Sequence, residues 1–341
     1  MKGVTMHGAL LGVMLILAYQ AWTPDETNRA TLNSDGDYTV WDVPSDQVTT
    51  LTFVRRNTTT VIERREEAGE VYLWGRSFES LPDDTAQDTT AAADSVPARR
   101  TPAPAQEFPV GDEGEDIWNR VAHLRALRDL GALDDAGRER YELNDTERRL
   151  TISTNSGERL MEIGGTVYGS IHRYAVEPAT GKGYVLADQI VRALEGGQSS
   201  LRQQTLHRFG QDEIGGVTVR GPSGERTMTR NPGPTRQDDL WVSPDTPDDP
   251  DQTFQTFMNH VRQLAMLNYQ ATVNTDTLQF LVRIDYRDED NQPMGFLELY
   301  RAPSSEPDVW EYYLRTQSTR IPAHAHRNLA ERVDRDLADV F

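Results

Sequence analysis

Two histidines placed two residues apart, His324 and His326 in the stretch IPAHAHRNLAERV, are the side chains in this sequence that best fit a metal site. Imidazole nitrogens are common zinc ligands, but a zinc site needs at least a third protein ligand. The spacing around the pair marks no third ligand. The residues after Pro322 also fit the start of a helix, where histidines are usually solvated. We therefore expect no metal site here.

Two arginines, Arg173 and Arg315, fall at matching positions of two similar segments. An arginine at such a position packs on an aromatic ring or pairs with a carboxylate, and a shared anion-binding role is the alternative. His172, next to Arg173, is expected in polar packing. His123 and His260 each lie beside an apolar helix position and are expected to face solvent.

Sequence motifs that would define a reaction are missing. The absence of cysteine excludes disulfides, thiolate chemistry and zinc-cysteine sites. There is no Gly-x-Ser-x-Gly elbow and no phosphate-binding loop. The acidic stretches RDEDNQPMG (287–295) and TPDDPDQ (246–252) fit a hairpin tip and a helix N-terminus better than a calcium loop. We expect no catalytic, cofactor-binding or metal site, and we do not expect an enzyme.

The charge restricts the partners. The 341 residues carry a formal net charge of −19, which argues against binding to nucleic acid or to an anionic lipid surface. Lys2 and Lys182 are the only lysines among 35 basic residues. This bias fits a GC-rich genome, and a salt-adapted surface is the alternative.

The segment 1–24 contains an apolar run that predicts a membrane anchor. Residues 8–19 are apolar and uncharged, and the run from 4 to 22 reaches about the lower limit of a membrane span. Tyr19 and Trp22 suit the membrane interface. Positive charge before the run and acidic residues after it place residues 25–341 outside the cytoplasm. A cleaved signal peptide is the alternative, although Tyr19 fits its cleavage rule poorly.

Beyond the anchor, the chain repeats one pattern of elements. A single constant spacing relates Val48, Leu51 and Phe53 to Ile214, Val217 and Val219, in that order. Each set opens a predicted hairpin. Trp74 then matches Trp241 at a spacing one position longer. Each copy is predicted to run strand-strand-strand-helix-strand-strand-strand-helix.

Apolar stripes predict the two helices of each copy. The first helix is predicted from matching stripes, Ile117, Val121, Leu124, Leu127 and Leu130 in one copy and Phe254, Met258, Val261, Leu264 and Leu267 in the other. Gly131 is expected to end the first of these helices. The closing helices are predicted from Leu186, Ile190 and Leu194, matched to Leu329, Val333 and Leu337.

The predicted fold is α+β, with an N-terminal transmembrane anchor followed by two tandem repeats of a mostly antiparallel sheet with two helices each. The anchor occupies residues 1–24, the first repeat residues 40–197 and the second residues 205–341. Residues 81–105 interrupt the first repeat. Their Pro, Ala, Thr and Asp content predicts a disordered linker.

With this organisation the chain resembles the domain of unknown function 4340 family of bacterial proteins. The resemblance covers residues 40–341 and lies in Trp41, Val43 and Val48, and in the stretches LRALRDLGAL, MEIGG and YVLADQIVRAL. It implies a single membrane anchor and an extracytoplasmic accessory role. The implied partners are an export-type ABC transporter permease or a gliding-motility-type auxiliary protein. No catalytic residue follows from it.

Two functions fit these observations. The first is a non-catalytic accessory subunit, anchored in the inner membrane, that contacts a transporter, a polysaccharide or protein cargo, or the cell wall. The alternative is an exported substrate-binding or hydrolytic protein that works in a cleft between the two repeats.

Overall fold

The computed structural model describes residues 38–67, 69–79, 105–231 and 240–341. In these residues the chain is mainly β and forms two large antiparallel sheets and six helices. The predicted anchor (1–24) and nearly all of the predicted linker (81–105) lie outside the described residues. None of the helices in the described ranges is long and apolar enough to cross a membrane.

The first sheet and its helices are formed by residues 38–201, here named the first module. Its strands are β1 (Tyr38–Thr39), β2 (Val48–Arg55), β3 (Thr58–Glu67), β4 (Glu70–Glu79), β5 (Gln106–Pro109), β6 (Arg125–Ala126), β7 (Arg128–Ala132), β8 (Arg148–Thr154), β9 (Gly157–Thr166), β10 (Arg173–Glu177) and β11 (Lys182–Leu186). Its helices are α1 (Asp112–Ala122), α2 (Asp135–Arg140), α3 (Asp188–Gly196) and α4 (Gln198–Leu201). Nine strands pair in the order β5-β4-β3-β2-β8-β9-β10-β11-β7, and β1 pairs with β6.

The second sheet belongs to residues 212–341, here named the second module. Its strands are β12 (Gly216–Gly221), β13 (Gly224–Asn231), β14 (Leu240–Ser243), β15 (Thr246–Pro250), β16 (Met266–Tyr269), β17 (Gln279–Arg287), β18 (Pro293–Pro303), β19 (Trp310–Thr316) and β20 (Ala323–Ala325). Its helices are α5 (Gln252–Arg262) and α6 (Arg327–Val340), which pack against each other. The strand order is β15-β14-β13-β12-β17-β18-β19-β20-β16.

From edge to edge, the two sheets use their strands in the same chain order. The ladders agree in register at the centre. Leu51 of β2 lies between Ile62 and Ile152, and Val217 of β12 lies between Met228 and Tyr286. The spacing that leads from Leu51 to Val217 therefore relates positions that are equivalent in the two sheets. The sequence pattern missed three short strands in each sheet, β5, β7 and β11 in the first and β15, β16 and β20 in the second.

The prediction that α1 continues to Leu130 is wrong. The helix ends at Ala122 and the chain then enters β6 and β7. Leu124 and Ala126 are fully buried while His123 and Arg125 are exposed, which is the alternation of a strand. Gly131 does not cap the helix either. It lies within β7 with φ of 74°, next to a break in the pairing with β11.

The corresponding prediction for α5 is wrong for the same reason, because this helix ends at Arg262 and excludes Leu264 and Leu267. The buried positions of the two helices pair Ile117 with Phe257, whereas the predicted stripes paired Ile117 with Phe254. In this corrected match, Gly114, Ile117, Trp118 and Val121 of α1 correspond in order to Phe254, Phe257, Met258 and Val261 of α5. In the closing helices, Leu186 is likewise not helical, since it ends β11 before α3 begins.

The match between Trp74 and Trp241 is wrong by one residue. The ladder between β13 and β14 places Trp241 opposite Arg230. The ladder between β3 and β4 places Leu73 opposite Arg64, which the constant spacing of the central strands matches to Arg230. Leu73 therefore holds the position of Trp241. Because a slip of one residue turns a side chain to the other face of a sheet, Trp241 joins the main core whereas Trp74 lies outside it.

A short extended segment seals the core of the first module beyond the end of α1. The backbone N–H groups of Val40 and Val43 donate to Leu124 and Ala122, each at 2.9 Å. Between them Trp41 is only 3% exposed, and its indole N–H donates to the carbonyl of Val121 at 2.6 Å. The segment thus fills the space between the helix and the sheet with a large ring.

Replacing Trp41 by Ala should lower the free energy of unfolding by about 3–5 kcal/mol, because it empties a fully packed site. Urea denaturation of the purified chain measures this loss. Tyr38→Ala is the matched control, since Tyr38 lies in the same segment but is 48% exposed. It should change the free energy of unfolding by about 0.5 kcal/mol or less. Equal losses in the two variants would contradict the sealing role of Trp41.

Candidate functional site

A cavity of about 380 Å³ lies in the second module between the sheet and α5. Most of its wall is apolar and comes from core elements. These wall residues include Trp241, Met258, Val261, Leu264, Tyr286 and Leu297. Residues 204–211, which link the two modules, cover one side. The volume falls within the range of about 300–1,000 Å³ that is usual for small-molecule pockets.

The same place in the first module is filled by two tryptophans. The spacing that leads from Leu51 to Val217 also leads from Trp41 to His207, and the corrected helix match pairs Trp118 with Met258. Trp41 and Trp118 are both buried core residues. His207 and Met258 both border the cavity. Met258 therefore stands where the first module has the indole ring of Trp118, and His207 is the sequence counterpart of Trp41.

The path of the linking segment enlarges this difference. Residues 40–43 of the first module run along the end of α1, but the linking segment does not run along α5 in this way. The backbone N–H of Gln203 donates to Pro109 at 2.8 Å, and the Arg208 side chain pairs with Glu115 of α1. The carbonyl of Leu206 accepts from the Thr316 hydroxyl at 2.6 Å. The segment thus binds both modules and covers the core of the second one incompletely.

His207 is a titratable side chain that borders the cavity. Its ring stacks on Phe209 with centroids 4.6 Å apart and meets the ring of Tyr286 edge-on at 4.8 Å. Burial lowers the pKa of His207 to about 4, so the imidazole is neutral at pH 7. Within the described part of the chain, neither ring nitrogen has a hydrogen-bond partner. A neutral imidazole offers one donor and one acceptor.

The cleft between the modules is smaller, about 150 Å³. Arg320 of the second module crosses it, with its guanidinium 3.8 Å above the ring of Tyr72 and 2.8 Å from the carboxylate of Glu70. His207 and Phe209 border this cleft as well as the cavity. The two residues therefore form a thin wall between the two spaces.

The two histidines singled out in the sequence lie in different surroundings. His324 lies in β20, where its ring stacks on Tyr313 at 5.4 Å, and His326 is the exposed residue before α6. The helix therefore begins later than the sequence predicted. Among the described residues, no group of three or more His, Asp or Glu side chains could hold a metal ion.

Arg173 and Arg315 both pair with carboxylates, as predicted, but they are not at equivalent positions. Arg173 lies 3.4 Å from Asp188, and Arg315 lies 2.7 Å from Glu298. The ladders place Ala175 opposite Ile163 and Leu314 opposite Leu299, which shifts the two arginines by three residues. The prediction that Arg173 and Arg315 occupy equivalent strand positions is therefore wrong.

Glu298 is a buried anchor of the outer face of the second sheet. Burial alone raises its pKa, but hydrogen bonds from Tyr300, Arg315 and Arg283 outweigh this effect and hold the pKa below its usual value. Arg283 and Arg315 approach its two oxygens, each at 2.7 Å. The cluster is explained by packing across three strands.

The remaining histidines considered in the sequence differ in their exposure. His123 is half exposed beside Asp42, in line with the prediction of solvent exposure. His260 departs from that prediction, because it pairs with Asp336 of α6 at 2.6 Å and is mostly covered. His172 precedes β10, and its Nδ1 atom is buried without a hydrogen-bond partner in the described chain.

No family model, curated protein or solved structure matches the chain. The first module therefore serves as the reference for the second. Against that reference, the second module differs at the places of Trp41 and Trp118. Sequence reasoning missed this site because it paired Ile117 with Phe254, a register that does not bring Met258 opposite Trp118.

His207, which is mostly but not fully buried, should make stability depend on pH. The unfolded chain binds a proton there near pH 6.5, but the folded chain does so only near pH 4. The contribution of the neutral His207 to the free energy of unfolding is therefore complete above pH 6.5. It is lost as the pH falls from 6.5 towards 4. Between pH 7 and pH 5 the wild type should lose about 2 kcal/mol more free energy of unfolding than His207→Gln.

Urea denaturation at the two pH values measures this difference. The His207→Gln variant is the control, since it keeps the other titratable groups. Parallel losses in both proteins would show that His207 is not held in its neutral form.

Proposed function

We propose that the protein is a non-catalytic binding subunit built from two copies of one α+β unit. In this proposal the first copy is a closed scaffold, and the second copy carries the binding space. The observation that carries it is the contrast between the two modules. The space that Trp41 and Trp118 close in the first module is a cavity beside His207 and Met258 in the second.

The shared strand order supports an internal duplication. Nine strands in each sheet follow one another in the same sequence, and the central ladders agree in register. A duplicated unit can keep one copy for stability while the other changes its core. Side chains lost from a packed core normally cost stability, so an unfilled cavity of this size is best explained by a use for the space.

The proposed setting is the outer side of the inner membrane. The apolar run within residues 1–24 supports a single-pass anchor, with residues 25–341 outside the cytoplasm. An ABC transporter permease or its auxiliary protein is the proposed partner, on the strength of the family resemblance in residues 40–341. The net charge of −19 is consistent with a protein partner and argues against nucleic acid.

The alternative, a substrate-binding or hydrolytic site in the cleft between the modules, is less well supported. The cleft of about 150 Å³ is smaller than most small-molecule sites. Arg320 spans it and is held by Tyr72 and Glu70. The cleft is thus occupied by contacts that join the modules.

The full-length protein, tagged at its C-terminus and extracted from its host membranes in mild detergent, should copurify with an ABC-type permease or its ATPase. Mass spectrometry identifies the partners. The matched control is the chain of residues 25–341, which lacks the anchor and should not be recovered from the membrane fraction.

The accessory role is wrong if no transporter component is recovered and a panel of hydrolase substrates gives turnover that one His or Asp substitution abolishes.

A further inference from the structure

We propose that the cavity of the second module binds a flat, uncharged heteroaromatic molecule of about the size of indole. This inference rests on the proposed function, since it assigns a class of ligand to the binding space of the second module. Four features of the cavity carry it, namely its shape, its walls, its charge and its single neutral imidazole.

The shape follows from the first module. There the equivalent space is occupied by the rings of Trp41 and Trp118, and the indole of Trp41 donates to the carbonyl of Val121 at 2.6 Å. The corrected helix match pairs Val121 with Val261, which borders the cavity. The same backbone frame that encloses an indole in one module is therefore present, without the ring, in the other.

The walls favour an aromatic ligand over an aliphatic one. Trp241, Tyr286 and Phe209 present rings to the cavity, and Met258 and Met266 present thioethers. Aromatic rings pack edge-to-face or in offset stacks, and methionine sulfur makes favourable contacts with ring edges. An aliphatic ligand would gain only the burial of its surface.

The charges around the cavity favour an uncharged ligand. No acidic side chain of the described chain borders it, so a cationic group would find no counter-ion there. The two guanidinium groups at its border already donate to protein atoms. Arg230 donates to the carbonyls of Asp212 and Ile214, and Arg262 donates to Asn259.

His207 supplies the polar contact. Its ring is neutral at pH 7 and lies in the cavity wall, so its acceptor nitrogen can receive one N–H or O–H group from the ligand. A hydrogen bond to His207 would orient a ring that is otherwise held mainly by apolar contacts. This arrangement resembles the mostly apolar sites with few polar groups that bind small molecules.

The test is a titration of the full-length protein in mild detergent with indole, followed by calorimetry and by thermal unfolding. Indole should bind at one saturable site and raise the melting temperature. Naphthalene, which has the shape but no N–H, and tryptamine, which is cationic at pH 7, should each bind more weakly than indole.

Two variants refill the cavity as the first module does. Met258→Trp copies Trp118, and His207→Trp copies Trp41. Each should weaken indole binding by about ten-fold or more while the melting temperature stays equal or rises. Thr256→Trp is the matched control, because it adds the same ring to the exposed side of α5 and should leave indole binding unchanged.

Three results would overturn the inference. They are the absence of saturable indole binding to the wild type, unchanged indole binding in both refilled variants when they are folded, and equal or tighter binding of naphthalene or tryptamine. If a tryptophan-containing peptide binds where indole does not, the site takes a protein segment and the small-molecule assignment is wrong. Copurification with the transporter is measured separately, so a failure here leaves the accessory role standing.

Discussion

The structure depends on one requirement, which is that the apolar face of each nine-stranded sheet must be covered. Helices cover most of that face in both modules, but each first helix stops before the far strands, at Ala122 and at Arg262. An extended segment has to cover the part of the apolar face that lies beyond the end of this helix. In the first module this segment can follow the helix end closely, because it has no other structural task among the described residues.

The second module meets the same requirement with a segment that also joins the two modules. Residues 202–211 leave α4, bind the edge of the first module and then reach the second core. A chain that must satisfy hydrogen bonds on both sides has less freedom to place a large ring in the core. The segment places His207 and Phe209 at the edge of the core, and these rings leave the cavity unfilled.

Much of the fold was accessible from the sequence because strong periodicity reports burial directly. The alternation around Leu51 and Val217 predicted the central hairpins and their equivalence. Short strands escaped notice, since a stretch as short as Ala323–Ala325 carries too little pattern. The spacing of Leu124 and Leu127 suits a helix, but Leu124 and Ala126 are buried in the alternation of a strand, so tertiary pairing overrides the helical pattern. The cavity could not be foreseen without the corrected helix register, because only that register brings Met258 to the place of Trp118.

The linking segment has a consequence for how the molecule comes apart. The Tyr269 hydroxyl donates to the carbonyl of Gln203 at 2.8 Å, and the Arg202 guanidinium donates to the carbonyl of Leu267 at 2.8 Å. The same stretch of backbone bonds Pro109 of the first module. Opening either module therefore exposes polar groups that the other module satisfies. The two modules are separate in their topology but coupled in their stability. Unfolding of one module lowers the free energy of unfolding of the other.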